Sequence, residues 1–181
     1  SLKEKQLVEE TSAGWRVQFA DESGIEPHVR AFESRFEQLD WIAEAVVALL
    51  EDEGVRPEQL LILAPRVTSF NYLSQRITQL CPNPIPLRVV GGSFQRYLDE
   101  LLIVPDHLTL ATIHAAKGYD APITFLIDVD QLDQKVLGRV MFYVGVTRAK
   151  RYLVVTGLNL PNTLMREALA VIDRLNAVDE S

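Results

Sequence analysis

None of the nine glycines in the 181-residue chain is followed by lysine. That excludes the phosphate-cradling G-x-x-x-x-G-K-[ST] loop, and with it a self-sufficient P-loop nucleotide hydrolase. The single cysteine, Cys81, excludes an internal disulfide and fits a reducing, cytoplasmic setting. No apolar run approaches the roughly 20 residues that a membrane helix needs. The charged opening SLKEKQLVEE lacks the apolar core of a signal peptide. Ser1 stands where Met would begin a chain, which suggests a processed or excised piece. There is no internal repeat and no low-complexity segment.

Positive charge is also short overall. The net charge is −7, which argues against wholesale affinity for nucleic acid. Its distribution is uneven. Residues 1–60 carry 6 Lys/Arg against 14 Asp/Glu, whereas residues 61–163 carry 10 against 7. The second stretch is therefore mildly basic and can hold a local phosphate-binding face. The acidic first stretch reads equally as a solvated surface. A hydrophobic content of 48% and a charged content of 24% suit one ordinary globular domain with a proper core.

Periodicity supplies the elements. In residues 1–33, GWRVQFA and HVRAFES read as short lead-in strands split by the turn DESG. Ser34 with Glu37 three residues on forms a capping box for a helix. Its apolar face is Leu39, Ile42, Ala43, Val46, Val47 and Leu50, and Gly54 ends it. LLILA, residues 60–64, is a buried strand followed at once by Pro65 and Arg66. Thr68 or Ser69 caps a second helix with Phe70, Leu73, Ile77 and Leu80 on one face. LRVV is a further strand, and GGSF leads to a helix around 94–102. A helix beginning near Gln134 is expected to turn Val136, Leu137, Val140, Met141 and Val144 inward. YLVVTG is another strand, a helix starting at Pro161–Asn162 closes the chain, and AVDES frays. Alternating strands and helices predict an α/β domain over 34–181, a mostly parallel sheet with helices on both faces.

The stretch from Leu108 to Asp130, LTLATIHAAKGYDAPITFLIDVD, concentrates the chemistry. Two β-rich runs flank a hinge with a His, a Lys, a Gly and an Asp. Polar groups at the carboxyl end of a strand are where open α/β sheets bind ligands. Asp128 and Asp130 imitate the magnesium carboxylate of a P-loop motor. With no phosphate loop to serve, strand-end solvation is their expected role.

ATIHAAKGYDAPITFL resembles the fifth motif of the UvrD/Rep family of superfamily-one helicases, and RVMFYVGVTRAKRYLVVTG resembles the sixth. The resemblance implies a RecA-like fold without its own phosphate loop, the C-terminal motor lobe of an ATP-dependent DNA helicase used in DNA repair. It implies that Arg148, in VGVTRAK, is an arginine finger, and that Arg66 is the fourth-motif arginine reaching the same γ-phosphate. Pro65 departs from the aromatic that the family usually places before that arginine to stack on adenine. Asp120 takes the position of the carboxylate that bonds the ribose of ATP, here one methylene shorter than the usual Glu. Gly118 and Lys117 complete the nucleotide motif, Lys117 facing a phosphate or an internal carboxylate. Thr112 and His114 fall where the family touches the phosphates of single-stranded DNA. Mg2+ would be held by the N-terminal lobe of the same parent chain, and this lobe alone would be inactive. Only residues 67–107 separate Arg66 from the fifth motif, so the large accessory insertion of other members is missing.

Two other classes are open. A non-catalytic DNA- or protein-binding module would keep the fold without the phosphate chemistry. A metal-dependent nuclease would use Pro105–Asp106 and Asp133-Gln134-Lys135 as a PD…DxK imitation, provided that both carboxylates meet.

Overall fold

Three runs with too few polar residues to face water, LLILA, LTLAT and APITFL, occupy the middle of a parallel sheet. The computed structural model describes residues 8–11, 14–17, 26–92 and 102–179. β1 (Val8–Thr11) and β2 (Gly14–Val17) form an antiparallel pair of their own. The main sheet is built from β3 (His28–Phe32), β4 (Leu60–Ala64), β5 (Leu87–Val90), β6 (Leu108–Thr112), β7 (Ala121–Leu126) and β8 (Ala149–Leu158). Its order is β3-β8-β7-β4-β6-β5, and every pair is parallel. β3, read from the sequence as part of a lead-in, is thus an edge strand of this sheet. The turn DESG and the helix expected around 94–102 lie outside the described residues, apart from Leu102.

One face carries α1 (Arg35–Glu51) and α2 (Phe70–Leu80). Ser34 caps α1: the Glu37 N–H donates to Ser34 Oγ at 3.2 Å. The Glu37 carboxylate reaches back to the Glu33 N–H, one residue earlier than in a reciprocal capping box. Leu39, Ile42, Ala43 and Val46 then bury together with Phe70, Leu73 and Ile77 against Leu60, Ile62, Leu108, Leu110 and Phe125. Fully burying side chains of this size stabilises by about 1.5–3 kcal/mol each before entropy is charged against it.

The other face carries α3 (Val136–Val146) and α4 (Leu164–Asp179). Leu61, Leu63, Ala111, Leu126 and Val155 meet Leu164 and Met165 there, with Met141 and Phe142 packed beside them. α4 runs as far as Asp179, further than the fraying expected of AVDES.

α3 is rotated relative to its sequence reading. Val136 (79% exposed), Leu137 (72%) and Val140 (52%) face outward rather than into the core. The buried positions of this helix are Gly138 and Gly145, with Phe142 and the expected Met141 and Val144 packed on the same side. The helix lies so close to the sheet that a Cβ on Gly145 would stand 2.8 Å from Leu126 Cδ1. The inner stripe is marked by small residues seven apart, which a search for apolar periodicity passes over.

Candidate functional site at two ends of one crossover

β6 and β7 both pair with β4, and the chain passes between them through residues 113–120 alone. Parallel strands ordinarily need a dozen or more residues for such a return. Thr112 is level with Ala64, whereas Ala121 starts two residues before Ile123, the partner of Leu60. The crossover therefore travels about 20 Å along the sheet at strand rise. One turn opens it, with Ala116 N–H donating to Thr112 O at 3.0 Å. Ile113 and Ala116 are buried on the α3 side and anchor it. Gly118, at φ +90°, sits near its far end.

At that far end lie Asp120 and Arg148. Both precede strands that pair directly, and Ala121 N–H donates to Arg148 O at 2.9 Å. Arg148 Nη1 lies 2.9 Å from Asp120 Oδ1. Its Nε donates to Val144 O at 3.0 Å and its Nη2 to Thr147 Oγ1 at 3.1 Å. Three of the five guanidinium N–H groups hold the side chain against the end of α3 and the start of β7. The remaining two, on Nη1 and Nη2, are left to donate elsewhere. With 19% of its side chain exposed, Arg148 is a fixed cation at the edge of the domain. Such a group suits phosphoryl oxygens. Asp120, at 42% exposure, also keeps acceptor capacity for a hydroxyl.

The other end gathers the carboxyl termini of β4, β6 and β5, which are neighbours in the sheet. Thr112 Oγ1 accepts the Ala115 N–H at 3.3 Å. His114 is exposed at this end, and Lys117 is exposed further along the crossover, beside Gly118. Lys117 meets no carboxylate among the described residues, so its reading as the partner of an internal carboxylate is not realised. Arg66 follows β4 here, exposed and without an ion-pair partner among the described residues.

Arg66 and Arg148 thus stand at opposite ends of the sheet. Leu63, Leu126 and Val155 share one level; Arg66 lies beyond it and Arg148 well before it. The separation along the strands is on the order of 25 Å. The expectation that both arginines close on one triphosphate is corrected: parallel pairing sends a residue after β4 and a residue before β8 to opposite ends.

A second correction concerns Asp128 and Asp130, which are not solvated strand ends. Asp128 is fully buried in the left-handed region, at φ 59°. It accepts from Ser69 Oγ at 2.6 Å and from Arg35 Nη1 at 2.5 Å. Asp130 accepts from Arg35 Nη2 at 2.5 Å and from the Leu158 N–H at 2.8 Å. Gln38 accepts from Arg35 Nη1 at 2.6 Å and donates to Thr156 Oγ1 at 2.8 Å. Burial pushes the Asp128 carboxyl up from its ordinary value, against the Ser69 hydroxyl and the Arg35 charge. Arg35 is the residue missed in the sequence. The only available signal was a pair of acids after an apolar strand, which demanded a cation from somewhere.

The nuclease imitation fails on placement. Asp106 precedes β6, where its N–H donates to Glu58 Oε2, and Asp133 lies beyond the carboxyl end of β7. The two acids are at opposite ends of the sheet and cannot share an ion.

Residues 107–156 match the family model described as the UvrD-like helicase C-terminal domain. Over this segment, which is under a third of the chain, the sequence is similar to that family. The match contains the whole crossover, both of its ends, α3 and most of β8. A search of the curated proteins gave no match. Among solved structures, the C-terminal domain of a possible DNA helicase from Lactobacillus plantarum WCFS1 superposes with a TM-score of 0.56 at 15% identity. The superposition covers 78% of this chain and 80% of that one. At that identity it supports the fold, and the UvrD-like segment sits in the all-parallel α/β architecture expected of it.

Proposed function

We propose that this chain is the C-terminal motor lobe of an ATP-dependent DNA helicase. The observation that carries the reading is the fixed Arg148–Asp120 pair inside the UvrD-like segment. A second lobe would hold ATP and its Mg2+. The groups that could meet the nucleotide from this side are Arg148 on the phosphates, Asp120 on the ribose, and Gly118 with Lys117 beside them. Arg148 would donate its two remaining N–H groups as negative charge gathers on phosphoryl oxygens, the task of an arginine finger. Asp120 orients it, so little reorganisation is needed on closure.

Single-stranded DNA would lie at the other end, on Thr112 and His114, contacts that fix the backbone without reading sequence. The exposed Arg66 joins that end, as a phosphate contact in place of a γ-phosphate contact. The crossover then links the two ligands in one short covalent path, which suits a lobe that converts closure on ATP into a shift along DNA.

The test uses the parent protein containing both lobes. Arg148→Ala is expected to abolish DNA-stimulated ATP hydrolysis while single-stranded DNA binding persists. Unchanged hydrolysis would turn the reading toward a non-catalytic binding module. ATP hydrolysis by this chain in isolation would also contradict it.

A further inference from the structure

We infer that Gly91 is a positioning residue for Thr112, keeping open the space in which the Thr112 hydroxyl is aimed at a nucleic-acid phosphate. The inference rests on the reading of Thr112 as a DNA contact given above.

β5 and β6 pair with Val90 opposite Ala111, so Gly91 comes next to Thr112 where the two strands end. A Cβ at Gly91 would stand 2.6 Å from Thr112 Cγ2, 2.6 Å from Oγ1 and 3.1 Å from Cβ. Real Cβ atoms do not approach so closely, so one of the two side chains must be absent or displaced. Gly91 has φ +126°, a conformation that L side chains rarely adopt, and is itself buried. On the other side of Thr112 lies β4, with Ala64 as its partner. The threonine is enclosed between two small residues and is 9% exposed.

Within that enclosure the hydroxyl has a defined direction. Oγ1 accepts the Ala115 N–H at 3.3 Å, which fixes the rotamer. A hydroxyl whose oxygen is engaged in this way still has its proton to donate. A phosphate oxygen accepts it, and the exposed Arg66 at the same sheet end supplies complementary charge. A methyl at position 91 would push Thr112 to another rotamer, break the bond to Ala115 and turn the proton away.

The experiment measures binding of this chain to a fluorescently labelled oligothymidine strand, together with amide exchange at Ala115. Thr112→Val removes the hydroxyl at constant shape and is expected to weaken binding about tenfold, the scale of one hydrogen bond to a charged group. Gly91→Ala is expected to weaken it comparably and to accelerate exchange at Ala115, with the Leu61 and Leu110 amides still protected. Gly91→Ala in the Thr112→Val background is expected to cost no further affinity, since both changes delete one contact. Additive losses, or native Ala115 exchange in Gly91→Ala, overturn the positioning role and leave the DNA reading standing. Binding that ignores Thr112→Val overturns the DNA reading, and this inference with it.

Discussion

Arg148 and Asp120 are joined by an ion pair of 2.9 Å between residues that lead into neighbouring strands. The pairing fixes the guanidinium before any ligand arrives. Pairs at such partial exposure contribute little to folding, about 0–1 kcal/mol. Its value is geometric: an arginine already aimed loses less entropy when it meets charge.

Two substitutions separate charge from aim. On the proposed function, Arg148→Ala in a parent containing both lobes should lower the ATPase rate by about 10³-fold or more. Asp120→Asn leaves the cation and loosens its hold, and should cost up to about 100-fold, the scale of a misplaced catalytic group. Steady-state hydrolysis at saturating ATP and DNA reads both. Equal losses from the two would mean that Asp120 contributes more than orientation and a ribose hydrogen bond.

Arg35 answers two buried carboxylates at once. Arg35→Ala strands both of them and should destabilise the fold by about 3–5 kcal/mol, the range for breaking a buried pair from one side. Urea unfolding followed by circular dichroism gives the number. A loss below about 1 kcal/mol would show that water replaces the guanidinium readily.

Asp128 should leave a pH signature. Its carboxyl is raised above the ordinary 3.8, with burial as the first cause. A raised acid favours the folded state fully below its unfolded pKa, and that contribution is lost as pH climbs through the folded value. The unfolding free energy of the native chain minus that of Asp128→Asn should therefore fall as pH increases from about 3.8. A difference that rises over this window contradicts the assignment.

Cys81 is buried at the end of α2, and its thiol is pushed up by burial and by the charge of Glu51. The thiolate is the reactive form. Alkylation in native buffer should be slow and should accelerate when urea opens the core. Labelling at equal rates in both conditions would place the thiol at the surface.

Much of this arrangement is legible in the residues. LLILA and LRVV are strands at their expected limits, because a short apolar run between turn-formers has few other fates. The α2 face and the Ser34 cap follow from spacing alone. The polar cluster was not legible, because Arg35 and Asp128 are 93 residues apart and nothing local pairs them. Ser69 shows the same limit: it occupies the cap position of α2, but its hydroxyl goes to Asp128 instead. Of the expected inward face of α3, Met141 and Val144 pack against the core, whereas Val136, Leu137 and Val140 face outward because the closest approach is made at Gly138 and Gly145, which carry no apolar signal. Arg66 was misplaced for a topological reason. Its position after a strand was read correctly, but only the parallel order shows which rim of the sheet that is.

The path from Thr112 to Ala121 has almost no slack. An extended chain advances at most about 3.3–3.6 Å per residue, and the opening turn uses up part of that reach. A loop of ordinary length would absorb a displacement at one end by rearranging in the middle. Here Ala116 N–H closes a turn on Thr112 O and Tyr119 N–H closes the next on Ala116 O, so little is left to rearrange, and a few residues added between His114 and Asp120 are expected to loosen the tie between the two ends.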